Sequence, residues 1–567
     1  MRKLAAGLAL LCACRSEPST DKLIERSRRE PPPAASTRPE PARSWHRGPG
    51  VAAGASGTAR FASRLFSGFD AGRALSTAAF ADGFHREPGN EGFEAVIDHV
   101  RGGLEAAGFG ADDRLTLEVL ETPLRGPAWT PRRARLALQT EGGTEVVLHA
   151  FDEPAGRDRV MLPRNAPSAG VAGPIVLSIE EIAPGAVLAT GEELSSGLLR
   201  RAHAAGAAAV LSAALAPYNE DTSGAARHLD AIAYRSVDRA CPLPVAQISP
   251  RSLGRIRAAC GRGARPRIAL EAEVGLAERP LRTLVATVRG TRFPEECVVL
   301  AAHVQEPGAC DNASGVATLL EGARTTAMLL LSGAVEPPAR SLVFLWGDEM
   351  AQSRVYLEHG RLRPIAAVAA DMTGQSRDLT GALPLLERAP DPGAVGVLPP
   401  DEHTSWGASP VETGELAPSG LSLIAREALH DVAALAGGWQ TAEHPFEGGS
   451  DHVVFLRQRI PAVLFWHFTD FAYHTSLDRL EHVDPQEMRR TGAVILATAL
   501  AVADARPGDL ARHLESLRIE QELRLSACAE AQRPDLDALW REWFQGARMW
   551  LRDLCLHPPR PETQEPP

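Results

Sequence analysis

Lysine is almost absent from this 567-residue chain: Lys3 and Lys22 are its two lysines, and every other basic residue is an arginine. Neither lysine follows a glycine, which excludes the phosphate-binding loop of P-loop nucleotide hydrolases. The formal net charge is −11 and no basic stripe is present. Because nucleic-acid binding depends on neutralising phosphates, the sequence argues against nucleic acid as a partner.

Long apolar runs are also missing. Residues 1–14 (MRKLAAGLALLCAC) combine two positive charges with a short apolar stretch, which is typical of an export signal and too short to span a bilayer in the mature protein. The end of this segment resembles the lipobox of bacterial lipoproteins, so we expect a lipid anchor at Cys14 and a place at the cell envelope, periplasmic or attached to the outer membrane. Plain secretion is the alternative. Residues 15–50, rich in Pro, Arg, Ser and Glu, predict a disordered tether.

Three common site motifs do not occur in the sequence. There is no GxSxG nucleophile turn and no HExxH helix, which removes the commonest serine-hydrolase and single-zinc protease sites. No CxxC pair occurs either, so a cysteine zinc ribbon is not expected. An exported chain meets oxidising conditions, which makes Cys241 with Cys260, or Cys528 with Cys555, candidate disulfides whose connectivity stays open.

Hydrophobic periodicity divides the rest of the chain into four segments. Residues 51–124 read as the N-terminal helical part of the main domain, and residues 125–280, with short apolar runs between turns, as an inserted β-rich domain. Residues 281–505 alternate apolar strands with helices, and residues 506–567 predict a helical C-terminal extension. The predicted fold class is α/β, with a mostly parallel mixed sheet covered by helices on both faces.

Four predicted strands of the main domain lead into a side chain that can bind a metal. CVVLAAH ends at His303, SLVFLWGDE at Asp348 and Glu349, IAAVAAD at Asp371, and PAVLFWHF leads through a short loop to His474. In an open α/β sheet, ligands bind outside the carboxyl ends of the strands. We therefore expect these side chains to meet at one edge of the sheet.

A fifth donor, Asp311, follows His303 just before a predicted helix, which it could alternatively cap. A central carboxylate can bridge two cations, so two imidazoles, two further carboxylates and Asp311 provide three ligands per metal with one shared. Asp348 is not needed as a ligand and could act as general base. The pattern predicts metal-assisted hydrolysis of an amide.

Five segments resemble, in order, the motifs of the M28 family of zinc aminopeptidases: AAHVQEPGACDNASGVATLLE, FLWGDEMAQSRVYLE, AADMTG, GGSDHVVFLRQRIPAVLF and YHTSLDRLEHVD. The resemblance implies a zinc-exopeptidase fold and two zinc ions per chain. His303 and Asp371 would bind one ion, Glu349 and His474 the other, and Asp311 would bridge them. The segment 125–280 resembles the protease-associated domain inserted in many of these enzymes. We thus expect an exported aminopeptidase that meets the membrane only through its anchor.

The chain departs from the family pattern at two places. The general base is usually Glu, whereas Asp348 is one methylene shorter, and a displacement of about 1 Å can cost about a hundredfold in rate. The family usually has Asp two residues after the first histidine, and here Gln305 would orient that imidazole instead. Asp451 and His452 lie in a segment that resembles the substrate-side loop, as candidates for substrate contact or ligand support. Glu306 is expected to be a solvated loop charge.

Two other functions stay open on the sequence alone. Relatives that cyclise amino-terminal glutamine have a similar ligand set, so acyl transfer with loss of ammonia is one alternative. The other alternative is a binding protein for peptides or proteins that keeps the fold but has weakened catalysis. In that case the substitution of the usual Glu by Asp348 would be the cause of the weakening.

Overall fold

The computed structural model describes residues 56–140, 143–261 and 266–556. The predicted signal, Cys14 and the tether lie outside these residues. The helices, in chain order, are α1 Ala59–Gly68, α2 Ala71–Asp82, α3 Glu91–Ala106, α4 Ser196–Ala204, α5 Pro250–Cys260, α6 Ala313–Leu331, α7 Ala351–His359, α8 Arg377–Thr380, α9 Pro392–Val395, α10 Leu421–Leu435, α11 His452–Arg457, α12 Pro485–Ala503, α13 Leu510–Glu530 and α14 Pro534–Leu556.

The larger sheet has eight strands in the order β1-β9-β11-β10-β12-β15-β13-β14. Its centre, β11-β10-β12-β15, is parallel, and antiparallel pairs flank it on both sides. Its strands are β1 Leu115–Pro123, β9 Pro280–Val288, β10 Phe293–His303, β11 Arg340–Gly347, β12 Arg363–Ala370, β13 Leu383–Glu387, β14 Ala442–His444 and β15 Ala462–Phe468.

Both faces of this sheet are buried, because each of its central strands carries a continuous apolar run. In β10, Val298 and Leu300 face the main core beneath α6 and α12, whereas Val299 faces a smaller core beneath α7 and α11. Continuous apolar strands are typical of parallel sheets covered on both sides. The predicted α/β fold, with a mixed sheet between two helical layers, is confirmed.

The residues between β1 and β9 in the sequence form a second sheet. Its seven strands are also mixed, in the order β3-β2-β8-β4-β5-β6-β7, and α4 and α5 contribute apolar residues to the same core. The strands are β2 Ala128–Gln139, β3 Glu145–Phe151, β4 Ala169–Val176, β5 Val187–Thr190, β6 Ala209–Ser212, β7 Val245–Gln247 and β8 Arg267–Ala277. We call residues 128–277 the inserted segment; its identity as a protease-associated domain stays a prediction.

The segment predicted to be only helical, 51–124, also contributes a strand. Residues 115–123 (LTLEVLETP) pair antiparallel with β9 and form one edge of the larger sheet. Leu115, Leu117 and Val119 alternate with polar residues, which is the period of a strand with one face packed on a core.

The predicted disulfides are not formed: the six cysteines among the described residues are all free. For Cys528 and Cys555 the reason is geometric. Cys528 lies near the turn that joins α13 to α14, and Cys555 lies near the far end of α14. At about 1.5 Å per residue, Cys555 is about 30 Å from that turn, whereas a disulfide needs Cα atoms less than about 7 Å apart.

The C-terminal helices pack against the main domain. Leu517 of α13 and Trp540 and Phe544 of α14 join the main core. The apolar run 492–503 lies inside α12 and is fully buried. In the described part of the chain, each helix is either too short or too polar to serve as a membrane span.

Candidate metal centre

Three adjacent parallel strands bring their carboxyl ends together. β10 ends at His303, β11 ends just before Asp348 and Glu349, and β12 ends just before Asp371. One ligand atom from each of His303, Glu349 and Asp371 lies within 4.8 Å of the other two. The structure therefore groups three of the predicted metal ligands at one edge of the sheet.

Asp311 lies between two imidazoles. Its Oδ1 is 3.3 Å from His303 Nε2, and its Oδ2 is 3.0 Å from His474 Nε2. Asp311 is not the helix cap, because the side chain of Asn312 accepts the hydrogen bond from Gly315 N–H at the start of α6. The Asp311 carboxylate is thus left to face both histidines.

The loop that carries Asp311 is fixed by a buried carboxylate. Asp478 accepts hydrogen bonds from the N–H groups of Cys310 (2.7 Å) and Asp311 (2.9 Å). Sequence reasoning did not single out Asp478, although it lies in the last of the five motifs, four residues after His474.

The His474 ring contacts an aromatic ring and two carboxylates. His474 lies after β15 in the left-handed region, with φ of 55°, and its ring stacks on Tyr473. Glu349, which the family resemblance assigns to the same cation as His474, is grouped with His303 and Asp371, and its Oε1 is 3.9 Å from His303 Nδ1. The carboxylate that contacts His474 Nε2, besides Asp311, is Glu306, at 2.6 Å.

The charge balance of the site favours a bound cation. Burial raises the pKa of Asp371 to about 7, and Asp371 Oδ1 is buried without a hydrogen-bond partner. Burial disfavours the charged form of His303, yet Asp371, Glu349 and Asp311 outweigh it and raise the pKa of this histidine. Imidazole and carboxylate donors with an unsatisfied buried oxygen fit a divalent transition-metal ion.

The donor spacing also fits such an ion. Bonds of about 2.0–2.1 Å in tetrahedral geometry place neighbouring donor atoms about 3.3 Å apart. The separations of Asp311 from His303 (3.3 Å) and from His474 (3.0 Å) are close to that value.

Asp348 lies beside the ligands in a distinct environment. Burial raises the pKa of its carboxyl to about 6, while Arg164 and Arg354 favour the charged form. A carboxylate with a pKa just below neutrality can accept a proton at neutral pH and release it again. Arg164 belongs to the inserted segment, so that segment contributes charge to the site.

Gln305 has a different partner from the expected one. Its amide binds Glu349: the side-chain oxygen accepts the backbone N–H of Glu349 at 2.5 Å, and Nε2 donates to Glu349 Oε2 at 3.4 Å. The Nδ1 atom of His303 is 3.3 Å from Asn312 Nδ2 and 3.9 Å from Asp451 Oδ2. Gln305 therefore orients a carboxylate, because its side chain extends toward β11.

Asp451 and His452 are both buried. Asp451 accepts hydrogen bonds from Met350 N–H, Gln352 Nε2 and Ser353 Oγ at the start of α7, which positions the chain just after Glu349. His452 is fully buried and its Nε2 is 2.7 Å from Glu387 Oε1. The structure gives both residues a supporting role and does not place His452 at the metal ligands.

Glu387, His444 and Glu447 form another cluster of potential ligands. Both ring nitrogens of His444 already have partners: Nδ1 donates to Pro445 O at 2.8 Å, and Nε2 accepts from Trp466 Nε1 at 2.9 Å. Because neither ring nitrogen of His444 is free to bind a metal, we assign this cluster no cation.

Glu306 is not a solvated loop charge. Its side chain is 13% exposed and contacts His474. The expectation failed because the loop after β10 turns back into the site. The sequence did offer one indication that Glu306 lies near the site: it is three residues after His303 and five before Asp311.

The inserted segment contacts the loop that carries His474. Tyr234 N–H donates to His474 O at 2.7 Å, and Asn219 Nδ2 donates to Phe471 O at 3.0 Å and Tyr473 O at 2.8 Å. These contacts join residues more than 200 positions apart, and nothing in the sequence pattern indicates them.

Comparisons with known proteins agree with this geometry. The family model "Peptidase family M28" matches residues 283–499. A search of curated proteins found no match.

Solved structures supply a likeness in fold. The peptidase M28 precursor from Shewanella amazonensis SB2B is 17% identical with a TM-score of 0.51, over 78% of this chain and 96% of that chain. The zinc aminopeptidase BSAP from Bacillus subtilis is 16% identical with a TM-score of 0.48, over 76% and 94%. An aminopeptidase from Aneurinibacillus sp. strain AM-1 is 16% identical with a TM-score of 0.45, over 78% and 96%.

The Shewanella structure shares the fold, and the family model covers the strands and loops that bring the candidate ligands together. The predicted resemblance is confirmed: residues 283–499 of this chain match the model of peptidase family M28.

Proposed function

We propose that this chain is a metallo-aminopeptidase that uses two zinc ions to remove amino-terminal residues from peptides. The observation that carries the proposal is the position of Asp311, whose two oxygens face His303 and His474 at 3.3 and 3.0 Å. One carboxylate between two imidazoles is suited to bridging two cations. In a domain of family M28, this arrangement supports peptide hydrolysis.

The ligand assignment follows the family resemblance. His303 and Asp371 would bind one zinc ion, Glu349 and His474 the other, and Asp311 both. When bound, zinc would polarise the peptide carbonyl and lower the pKa of a water toward about 7.

Asp348 supplies the proton transfer. Its carboxylate accepts a proton from the attacking water and delivers it to the nitrogen of the leaving amine. Because the pKa of Asp348 is raised to about 6 by burial, the group is largely ionised at pH 7 and still basic enough for this task. Arg164, from the inserted segment, favours the ionised form.

The enclosure of the site supports cleavage at a chain end. The side chains of Glu349 and Asp371 are 19% and 13% exposed, and His303 is 2% exposed. The inserted segment covers the His474 side through Tyr234 and Asn219. Such a site admits the end of a peptide more readily than a folded protein. We further propose that the enzyme acts at the cell envelope, anchored through Cys14.

The experiment is zinc reconstitution of the purified full chain. The protein is stripped of metal with a chelator and tested on a panel of aminoacyl anilides before and after zinc is returned. We expect chromophore release only after zinc is added, and no release from the same anilides with acetylated amino groups. No release across the panel with zinc bound would reject the aminopeptidase.

The same preparation separates the alternative functions. Ammonia release from a glutaminyl peptide, without anilide hydrolysis, would indicate the cyclotransferase. Failure to bind two zinc ions per chain would indicate the weakened binding protein.

A further inference from the structure

Glu306 is fixed on a strained and tightly bound loop. Its φ is 86°, in the left-handed region, where residues other than glycine are uncommon. The side chains of two buried arginines bind the backbone of this loop: Arg86 Nη2 donates to Gly308 O at 2.6 Å and Arg159 Nη2 to Pro307 O at 2.5 Å. Glu306 N–H itself donates to Arg86 O at 3.1 Å. Strained backbone that neighbouring contacts enforce is common at binding sites.

The carboxylate of Glu306 lies among the candidate ligands. Its Oε2 is 2.6 Å from His474 Nε2, and Glu306, Asp311 and His303 each place one ligand atom within 4.8 Å of the others. Since Asp311 Oδ2 is 3.0 Å from the same His474 nitrogen, Glu306, Asp311 and His474 converge on one point. Glu349, by contrast, is grouped with His303 and Asp371.

The candidate carboxylates differ in their relation to the two histidines. Glu349 and Asp371 are grouped with His303, whereas Glu306 and Asp311 both contact His474. Glu306 and Asp311 also lie within reach of His303.

We propose that Glu306 is a ligand of the cation that His474 and Asp311 bind. This inference rests on the proposed function, since it concerns the same metal centre. A glutamate three residues after His303 would thereby add a carboxylate ligand beside His474 and Asp311.

The test is zinc binding by the metal-free full chain. Wild type, Glu306→Gln and Glu295→Gln are titrated with zinc by calorimetry, and bound zinc is counted after dialysis at a fixed free zinc concentration. Glu295 is the matched control because it is an exposed glutamate on β10. We expect Glu306→Gln to bind one of the two ions at least about tenfold more weakly, since even residues that only orient a ligand contribute about 10- to 100-fold.

A cobalt titration gives a second readout of the same site. Loss of a carboxylate ligand should change the visible spectrum of the weaker cobalt ion in Glu306→Gln and leave that of Glu295→Gln unchanged. Unfolding curves of the metal-free proteins verify that all three are folded.

The outcomes separate this inference from the proposed function. The ligand assignment would be overturned if Glu306→Gln bound two zinc ions with wild-type affinity and gave an unchanged cobalt spectrum. This holds even if the variant showed a raised KM for the anilide. Glu306-dependent zinc binding without anilide hydrolysis would support the ligand and reject the aminopeptidase. A wild-type chain that binds no zinc would overturn both.

Discussion

Asp348 and Glu349 are consecutive residues with different environments. Glu349 is bound by the amide of Gln305 through both its backbone and its carboxylate. Asp348 is influenced instead by Arg164 and Arg354. These two adjacent carboxylates therefore differ in environment, which suits the proposed roles of Glu349 as a ligand and Asp348 as the base.

Removing the base should stop the reaction and leave the metal in place. We expect Asp348→Asn to lower kcat by about 10²- to 10⁴-fold, the contribution usual for a general base, with unchanged zinc content. The measurement is anilide turnover together with zinc analysis, and Asp113→Asn, at an exposed aspartate, is the control. Wild-type turnover by Asp348→Asn would show that another group moves the proton.

Lengthening the base is the complementary change. If the short arm of Asp348 displaces its carboxylate, Asp348→Glu should raise kcat, because about 1 Å of displacement can cost about a hundredfold. An unchanged or lower kcat would mean that this fold already positions the aspartate well. Equal zinc content in both proteins is required for the comparison.

At the scale of elements, a buried network of ion pairs joins the C-terminal helices to the main domain. Arg524 of α13 binds Asp401 at 2.6 Å and Glu520 at 2.7 Å. Arg426 of α10 binds Glu520 at 2.6 Å and also pairs with Glu443. Each charge is stable in the interior only because it has a partner.

Breaking this network should destabilise the protein strongly. Arg524→Met leaves Asp401 with one partner fewer and is expected to lower the free energy of unfolding by about 3–5 kcal/mol. The control is Arg518→Met on the same helix, where an exposed arginine pairs with Glu515 and Glu522 and should matter little. Denaturant unfolding measures both, and equal effects would contradict the role of the network.

Elements differ in how far the sequence predicts them. The strand ends at His303 and Asp371 were predicted because a buried parallel strand is a continuous apolar run with a clear end. Strand β1 was missed because an edge strand carries a weaker alternating pattern. The Glu306 contact and the Gln305 partner were missed because loop direction depends on distant residues such as Arg86, whose side chain holds the loop at Gly308.

Across the whole molecule, the inserted segment contacts the loop of the main domain that carries the candidate ligand His474. Ile232 and Ser476 exchange two hydrogen bonds, at 2.8 and 3.1 Å, beside the contacts of Tyr234 and Asn219. The segment thereby supports the loop on which His474 lies. Contacts of this kind are set by the tertiary structure and have no local sequence signature.

Removing the hydrogen bonds of Asn219 to this loop should weaken metal binding, although Asn219 itself is not a candidate ligand. Asn219→Ala leaves Phe471 O and Tyr473 O without their donor, at a cost of about 1–3 kcal/mol. We expect faster loss of zinc on dialysis against a weak chelator, because His474 follows directly. Glu220→Ala, at the exposed neighbouring residue, is the control, and equal zinc loss would contradict this role.

The most direct measurement is anomalous diffraction at the zinc edge from crystals of the zinc-loaded chain. We predict two peaks about 3.5–4 Å apart, one on each side of the Asp311 carboxylate, with His303 and His474 bound to different ions. A single peak, or zinc bound away from these three residues, would contradict a two-zinc peptidase centre.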